Sequence, residues 1–448
     1  MKRCLVIGAV VVAMLVAAGA GRIAAQRGTG AAQGPKLEVD PLWPKPFPVA
    51  KHWILGSVTG VATDAQDHVW VVHRGVESLQ ANEKGPTLQP WASSCCFSAP
   101  QVLEFDTAGN LVASWDPKDG SGYDWPANPS GIAVDAQGNV WIGSGLPTPS
   151  LAPAGRGGAR GTTPPAAGRG DAAAGGAGAR GAEAGRGAAR GGAPPEEGGT
   201  AARGAEAAGG AAQGRGRGAA AGPPPPADAQ VLKFSKDGKF LLQMGKGGKT
   251  EGSDSTTGFN RPGAVAVDGN ELYVADGFGN HRIAVFDAAT GAFKRSWGAY
   301  GEKPTDTDPG RYDPNGPPSK QFHSVSCVKI SKDGMVYVCD RQNDRIQVFQ
   351  KDGKFVKEVF VSKTTAGDGS VWDVAFSPDQ RLLYVADGHD KKVWILDRNS
   401  LETIGSFGDG GRYPGQFYGV GSVAVDSKGN VYTGETYEGK RVQKFVKK

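Results

Sequence analysis

The chain has 448 residues, 39% of them apolar and 8% aromatic, with 50 Lys and Arg against 45 Asp and Glu for a formal net charge of +5. Nine Arg and five acidic residues between 147 and 227 carry +4 of that charge, so the rest of the chain is nearly neutral. This excludes a generally basic, polyanion-binding surface, and the Arg-Gly stretch has no interleaved Phe or Tyr to stack on bases, so no nucleic-acid partner is expected.

The opening MKRCLVIGAVVVAMLVAAGAG puts Lys2 and Arg3 before an apolar run from Leu5 to Val16 and then small residues. That run is too short to span a bilayer comfortably, so residues 1–25 are predicted to be a secretory signal peptide cut after Ala20 or Ala25. Cys4 lies in the charged leader and not at the cleavage site, so no lipid anchor is expected. The mature protein is expected in the periplasm or outside the cell, with no transmembrane segment, as a monomer.

Next comes KLEVDPLW, where Leu37, Val39 and Leu42 alternate with polar residues as in a half-buried strand. Beyond it three phrases recur. The first reads TGVATDAQDH, SGIAVDAQGN, GAVAVDGNE, SCVKISKDG, WDVAFSPDQ and GSVAVDSKG. The second is clearest in LYVADGFGNHRIAVF (272–286), MVYVCDRQNDRIQVF (335–349), LLYVADGHDKKVWIL (382–396) and NVYTGETYEGKRVQKF (430–445). The third continues as in QVLEFDTAGNLVASW or RIQVFQKDGKFVKEVF. Each phrase alternates apolar or β-branched residues with polar ones and ends at Gly, Asp or Asn, which marks strands joined by tight turns. Each unit is therefore a four-stranded antiparallel meander.

Equivalent positions Asp64, Asp135, Asp268, Ser331, Ser377 and Asp426 lie 71, 133, 63, 46 and 49 residues apart. A strand-rich period of this size indicates blades arranged radially, and six units predict an all-β, six-bladed propeller. The 133-residue gap contains the Gly, Ala, Pro and Arg stretch 147–227. That stretch cannot bury enough apolar surface to offset its ordering entropy, so it is expected to be a long disordered loop of blade two, dividing the propeller into 36–146 and 228–448. The sixth unit stops after its third strand, and an open blade would expose a sheet edge. Residues 36–40 are predicted to supply the missing outer strand against 441–445.

Four Cys follow the leader, and an oxidising compartment permits disulfides. Cys327 and Cys339 are equidistant from Asp333 in a turn between adjacent strands and could bridge across that hairpin. The adjacent Cys95 and Cys96 read either as a vicinal disulfide or as two thiols, with the thiols preferred.

The repeated AVDxxGNVYVAD…NRIQVF pattern resembles the NHL-repeat β-propellers. VHRG (72–75), VADGFGNHRI (274–283) and DRQNDRIQVF (340–349) are similar to segments of one of its branches, the peptidyl-α-hydroxyglycine α-amidating lyases. That resemblance implies a pore zinc held by three His, with an Arg and a Tyr at the reacting carbinolamide. The Arg falls on Arg74, but the Tyr falls on Phe278 and the three His on Ala229, Ser326 and Gly421. None of the three is a zinc donor, and Phe278 has no hydroxyl to act as a base. His323 lies three residues from Ser326, and one imidazole does not make a zinc site. No cofactor is therefore expected, and the reading leaves room only for a pore cation such as calcium.

His73, Ser144, Asp276, Asp340, Asp387 and Glu435 form a column at the ends of the second strands. Its carboxylates are expected to accept backbone N–H bonds in the following turn, which makes the polar stretch DGFGNHR a turn and not an active site. His73 and Arg74 are the remaining candidates for catalysis. Thr59, Ser130, Gly263, Ser326, Trp372 and Gly421, with Asp373, are expected at the channel mouth. Ser130, Phe278, Ser326, Trp372 and Asp373 are the candidate ligand contacts. His52, His281 and His389 are isolated and carry no metal spacing. The function read from these residues is an exported binding or scaffold module for a peptide, glycan or protein. The alternative is an amidating-lyase-like enzyme, or a lactonase-like one, the latter suggested by DVAFSPDQRLLYVADG at 373–388.

Overall fold

The computed structural model describes residues 34–117, 122–145 and 228–448. The expected leader 1–25 and insert 147–227 lie outside the described residues. Within them, strands dominate and the helical pieces are single 3-10 turns.

The recurring phrases fold as read, into six four-stranded antiparallel sheets. Blade one is Val58–Thr63, Val69–His73, Val102–Phe105 and Leu111–Trp115. Blade two is Pro129–Val134, Val140–Ser144, Gln230–Phe234 and Phe240–Gly245. Blades three, four and five begin at Ala264–Asp268, Val325–Ile330 and Asp373–Phe376 and end at Phe293–Trp297, Phe355–Phe360 and Thr403–Phe407. Blade six runs Val420–Val425, Val431–Glu435 and Val442–Lys447, and its outer strand is Leu37–Asp40. The second strands, such as Val69–His73 and Val336–Asp340, are buried throughout because each blade is covered on both faces by its neighbours.

Six buried apolar clusters hold the ring, one at each junction between neighbouring blades. Trp70, Val72 and Ile132 join blades one and two, and Val61, Val71, Ala424 and Tyr432 join blades six and one. The circuit is therefore closed by side-chain burial as well as by the borrowed strand. Burying each of these large side chains stabilises the fold by about 1.5–3 kcal/mol.

The closing strand pairs further along than the sequence suggested: Leu37 faces Lys447 and Asp40 faces Lys444. The polar tail Val446–Lys448 reads as a chain end, yet its backbone is what the strand hydrogen-bonds, with Lys448 N–H donating to the Lys36 carbonyl. Leu37 and Val39 pack on the Phe445 cluster.

At the turns, Asp135 Oδ1 accepts the backbone N–H groups of Gln137 and Asn139, and Gly138 supplies the positive φ of +80°. Cys327 and Cys339 are directly opposed in blade four with Cα atoms 4.9 Å apart and are joined by a disulfide. Cys95 and Cys96 are also joined, which differs from the preferred reading of two thiols. They sit in the long excursion between the second and third strands of blade one, anchored by a short parallel pair of Trp53–Ile54 with Phe97–Ser98 that no alternation in the sequence announces. Among the described residues no helix is long and apolar enough to cross a membrane.

Candidate binding site at the channel mouth

In blade one Val58 opens the first strand opposite His73, which closes the second, and Val325 with Asp340 and Val420 with Glu435 repeat the arrangement. The column of strand-end residues therefore lines one end of the ring, here called the mouth. Its carboxylates are spent on structure. Asp276 takes the Asn260 N–H on one oxygen (2.9 Å) and Arg282 Nε on the other (2.8 Å). Asp340 takes the His323 N–H (2.6 Å) and Arg345 Nε (2.7 Å). Both arginines are fully buried. Glu435 takes the Tyr418 N–H (2.6 Å) and pairs with Arg441, and Asp387 takes the N–H groups of His389 and Asp390 and the Trp394 indole.

His73 does the same task without charge. Its Nδ1 accepts the N–H groups of Gly56 (3.1 Å) and Gly75 (3.0 Å), which leaves the proton on Nε2 to donate to the Pro100 carbonyl (2.9 Å). Burial pulls its pKa down to about 4. A neutral imidazole with both nitrogens engaged is neither a base facing the channel nor a metal ligand.

The inner hydroxyls tie blades together. Thr59 Oγ1 donates to the Pro129 carbonyl (2.7 Å), Ser130 Oγ to Gly263 (2.7 Å) and Ser326 Oγ to Val371 (3.1 Å), each on the next blade. Asp373 is buried, accepts the N–H groups of Val374 and Val423 and lies 3.4 Å from Lys329 Nζ. The glycines at the mouth leave space for rings. Phe278 lies against Gly263, and a Cβ at Gly388 would come within 2.8 Å of Trp372.

One cluster at the mouth remains chemically distinctive. Arg341 lies over Trp372 with its guanidinium carbon 3.4 Å from the ring centroid. Its Nε donates to the Asp368 carbonyl (2.6 Å), and the Tyr437 hydroxyl donates to Asp368 Oδ2 (2.8 Å). Tyr437 meets Trp372 edge-on at 5.9 Å. Arg74 completes the group: burial pulls its pKa down to about 10, Tyr437 and Asp228 oppose the fall, and Arg341 adds to it. Burial also lowers Arg341 and raises Tyr437, which stays a phenol. Arg74, Asp228, Arg341 and Tyr437 belong to or flank blades one, two, four and six, and the charges or dipoles of the last three act on Arg74.

Comparison with known proteins agrees with this architecture. A family model described as NHL repeat matches residues 259–286, the stretch that contains Asp276 and Arg282. The chain is a six-bladed propeller, and one of its repeats matches the NHL model. A model described as lactonase, 7-bladed beta-propeller, matches 302–405, across blades that here belong to a ring of six. NHL repeat-containing protein 3 of Homo sapiens is 29% identical over 179 residues, covering 39% of this chain and 46% of that protein. Peptidyl-glycine alpha-amidating monooxygenase B of Xenopus laevis is 30% identical over 220 residues, covering 46% of this chain and 23% of that protein. The mouse NHL repeat-containing protein 3 is 28% identical over 183 residues. The chain thus spans less than half the length of the curated relatives it matches.

In this propeller the three positions matched to the lyase zinc hold no imidazole, thiol or carboxylate: Ala229 is buried, Ser326 is a blade tie and Gly421 has no side chain, with Trp372 3.8 Å from where a Cβ would stand. Of the sequence candidates, Trp372 packs with Arg341 and Tyr437, both of which act electrostatically on Arg74, while Ser130, Ser326 and Asp373 are committed between blades and Phe278 packs on Gly263. Arg341, Tyr437 and Asp368 were missed because each sits in a turn whose residues read as ordinary loop chemistry. A separate pocket lies under the 308–321 loop, lined by Arg311, Tyr312, Lys320 and Asn343 among others.

Proposed function

We propose that this chain is an exported binding module whose channel mouth takes a peptide bearing a free carboxylate. The observation that carries the proposal is a pair of buried guanidiniums, Arg74 and Arg341, that act on each other electrostatically, with Arg341 lying over Trp372. Arg341 already pairs with the half-exposed Asp368 carboxylate at 3.4 Å, which shows the chemistry the site accepts: a carboxylate is the planar group that a guanidinium fork recognises. Trp372 and Tyr437 add flat apolar surface for the flanking side chain. The leader-like composition of 1–25 is what supports export, to the periplasm or outside the cell.

The test is calorimetric binding of a degenerate short-peptide pool prepared as free acids and as C-terminal amides. The free-acid pool is expected to bind and the amide pool not to. Arg74→Met should abolish binding and Arg341→Met should weaken it at least about tenfold. Equal binding of both pools, or of neither, would overturn the proposal.

A second reading, an enzyme related to the amidating monooxygenase or to the lactonases, has one observation in its favour. The Tyr437 phenol lies within electrostatic reach of Arg74, restoring an Arg and Tyr pair from another blade. Turnover of a hydroxyglycine-extended peptide or a small lactone, with zinc or calcium supplied and lost in Tyr437→Phe, would establish that reading in place of the first.

A further inference from the structure

At the end of the ring opposite the mouth, blade one departs from its sisters. In blades two and six the turn carboxylate is partnered by donors: Asn139 Nδ2 bonds Asp135 (2.9 Å) and Asn430 Nδ2 bonds Asp426 (2.7 Å). The third strands there place Lys233 opposite Trp141 and Lys444 opposite Tyr432. In blade one the Asn becomes His68, and the Lys becomes Glu104 opposite Trp70. Two donors have been exchanged for two metal-ligating groups around the same Asp64.

The three are gathered. One ligand atom from each of Asp64, His68 and Glu104 lies within 4.8 Å of the other two. Glu104 is buried, and His68 Nδ1 stands 2.6 Å from Glu104 Oε1. Asp64 Oδ1 is fixed by the N–H groups of Gln66 and His68, and the Trp70 indole donates to Oδ2 (3.0 Å), so the turn and the ring orient this carboxylate. Ligand atoms of a tetrahedral zinc ion are about 3.4 Å apart at bond lengths of about 2.1 Å. His68, a partly exposed side chain, needs to move from Glu104 by less than about 1 Å to reach that spacing. The charge also invites a cation. Lys236 Nζ stands 2.8 Å from the buried Glu104 carboxylate, on a half-exposed side chain free to swing away.

We infer that Asp64, His68 and Glu104 bind a divalent first-row metal ion of the zinc class, with Lys236 occupying the position of the cation in its absence. One imidazole nitrogen and two carboxylate oxygens suit zinc, manganese or iron better than calcium, which takes six to eight oxygens. Bound there, the ion would fasten the Asp64 turn to the third strand of blade one. The inference is independent of the mouth and of any peptide.

The experiment uses the full mature chain stripped with a chelator and titrated with zinc alone, and with cobalt as a coloured probe. One saturable zinc per chain is expected, with a rise of several degrees in melting temperature and visible cobalt absorption from a site of low coordination number. Glu104→Gln keeps the shape of the site and should weaken zinc at least about 100-fold, as should His68→Asn, which restores the side chain of blades two and six. Lys236→Ala removes the competitor and should tighten it. Circular dichroism establishes that each variant folds. Absence of saturable binding, or a zinc affinity unchanged in both His68→Asn and Glu104→Gln, would overturn the inference.

Discussion

Blades one and four solve the same problem with different chemistry. At the end of the second strand, the chain entering each blade must be pinned through a backbone N–H: Gly56 in blade one, His323 in blade four. Blade four uses the carboxylate of Asp340 and must then bury Arg345 beside it; blade one uses the neutral ring of His73 and needs no counter-ion. The position is defined by a lone pair aimed at an incoming amide, not by charge. A carboxylate there is therefore evidence of architecture, and an imidazole there is no evidence of catalysis.

The contrast is sharpest where the counter-ion is removed. Arg345→Met leaves Asp340 buried and uncompensated and should cost about 3–5 kcal/mol, read as a lower urea midpoint. The double variant Asp340→Asn with Arg345→Met should recover part of that loss. If the single variant costs nothing, the pair is not what holds blade four.

Blade one should reveal itself through pH. His73 has a pKa of about 4 in the fold against an ordinary value near 6.5, so below that ordinary value the unfolded chain takes up the proton first. Its stabilising contribution is complete above pH ~6.5 and falls by roughly 3 kcal/mol as the pH drops to ~4. Unfolding free energies of the wild type and His73→Gln, measured across that window, should diverge in slope. Parallel curves would mean that the ring is protonated in the fold and the comparison fails.

Removing residues 36–42 tests whether blade six depends on a borrowed strand in a way blade four does not. Losing the partial burial of Leu37 and Val39 should cost about 2–3 kcal/mol and lower the melting temperature. An unchanged melting curve would refute the closing role. The smallest effect belongs to Thr59→Val, which exchanges one inter-blade hydrogen bond for a methyl group and should cost about 1 kcal/mol.

The repeats made the ring legible before any coordinate was known, because period-two alternation and Asp or Gly turns are local signals. The closing strand pairs three residues further along than 36–40 with 441–445 predicts, because backbone pairing extends into the Lys-rich tail as readily as into an apolar run. The mouth was legible only in part. Arg74 and Trp372 stood out as residue types, but Arg341, Asp368 and Tyr437 reach them from other blades, and spacing along a chain does not encode convergence on an axis. His68 and Glu104 could have been found by aligning the blades position by position and asking where a donor becomes an acceptor.

The pairing of Leu37 with Lys447 also sets a timetable. During synthesis blade six lacks its fourth strand's partner until Val442–Lys447 leaves the ribosome, so the earliest strand waits for the latest. Contacts of such sequence separation are slow to form, and blade six is the one that pairs strands from the two far ends of the described chain. A nascent chain would carry Leu37–Asp40 unpaired until Val442–Lys447 has been made.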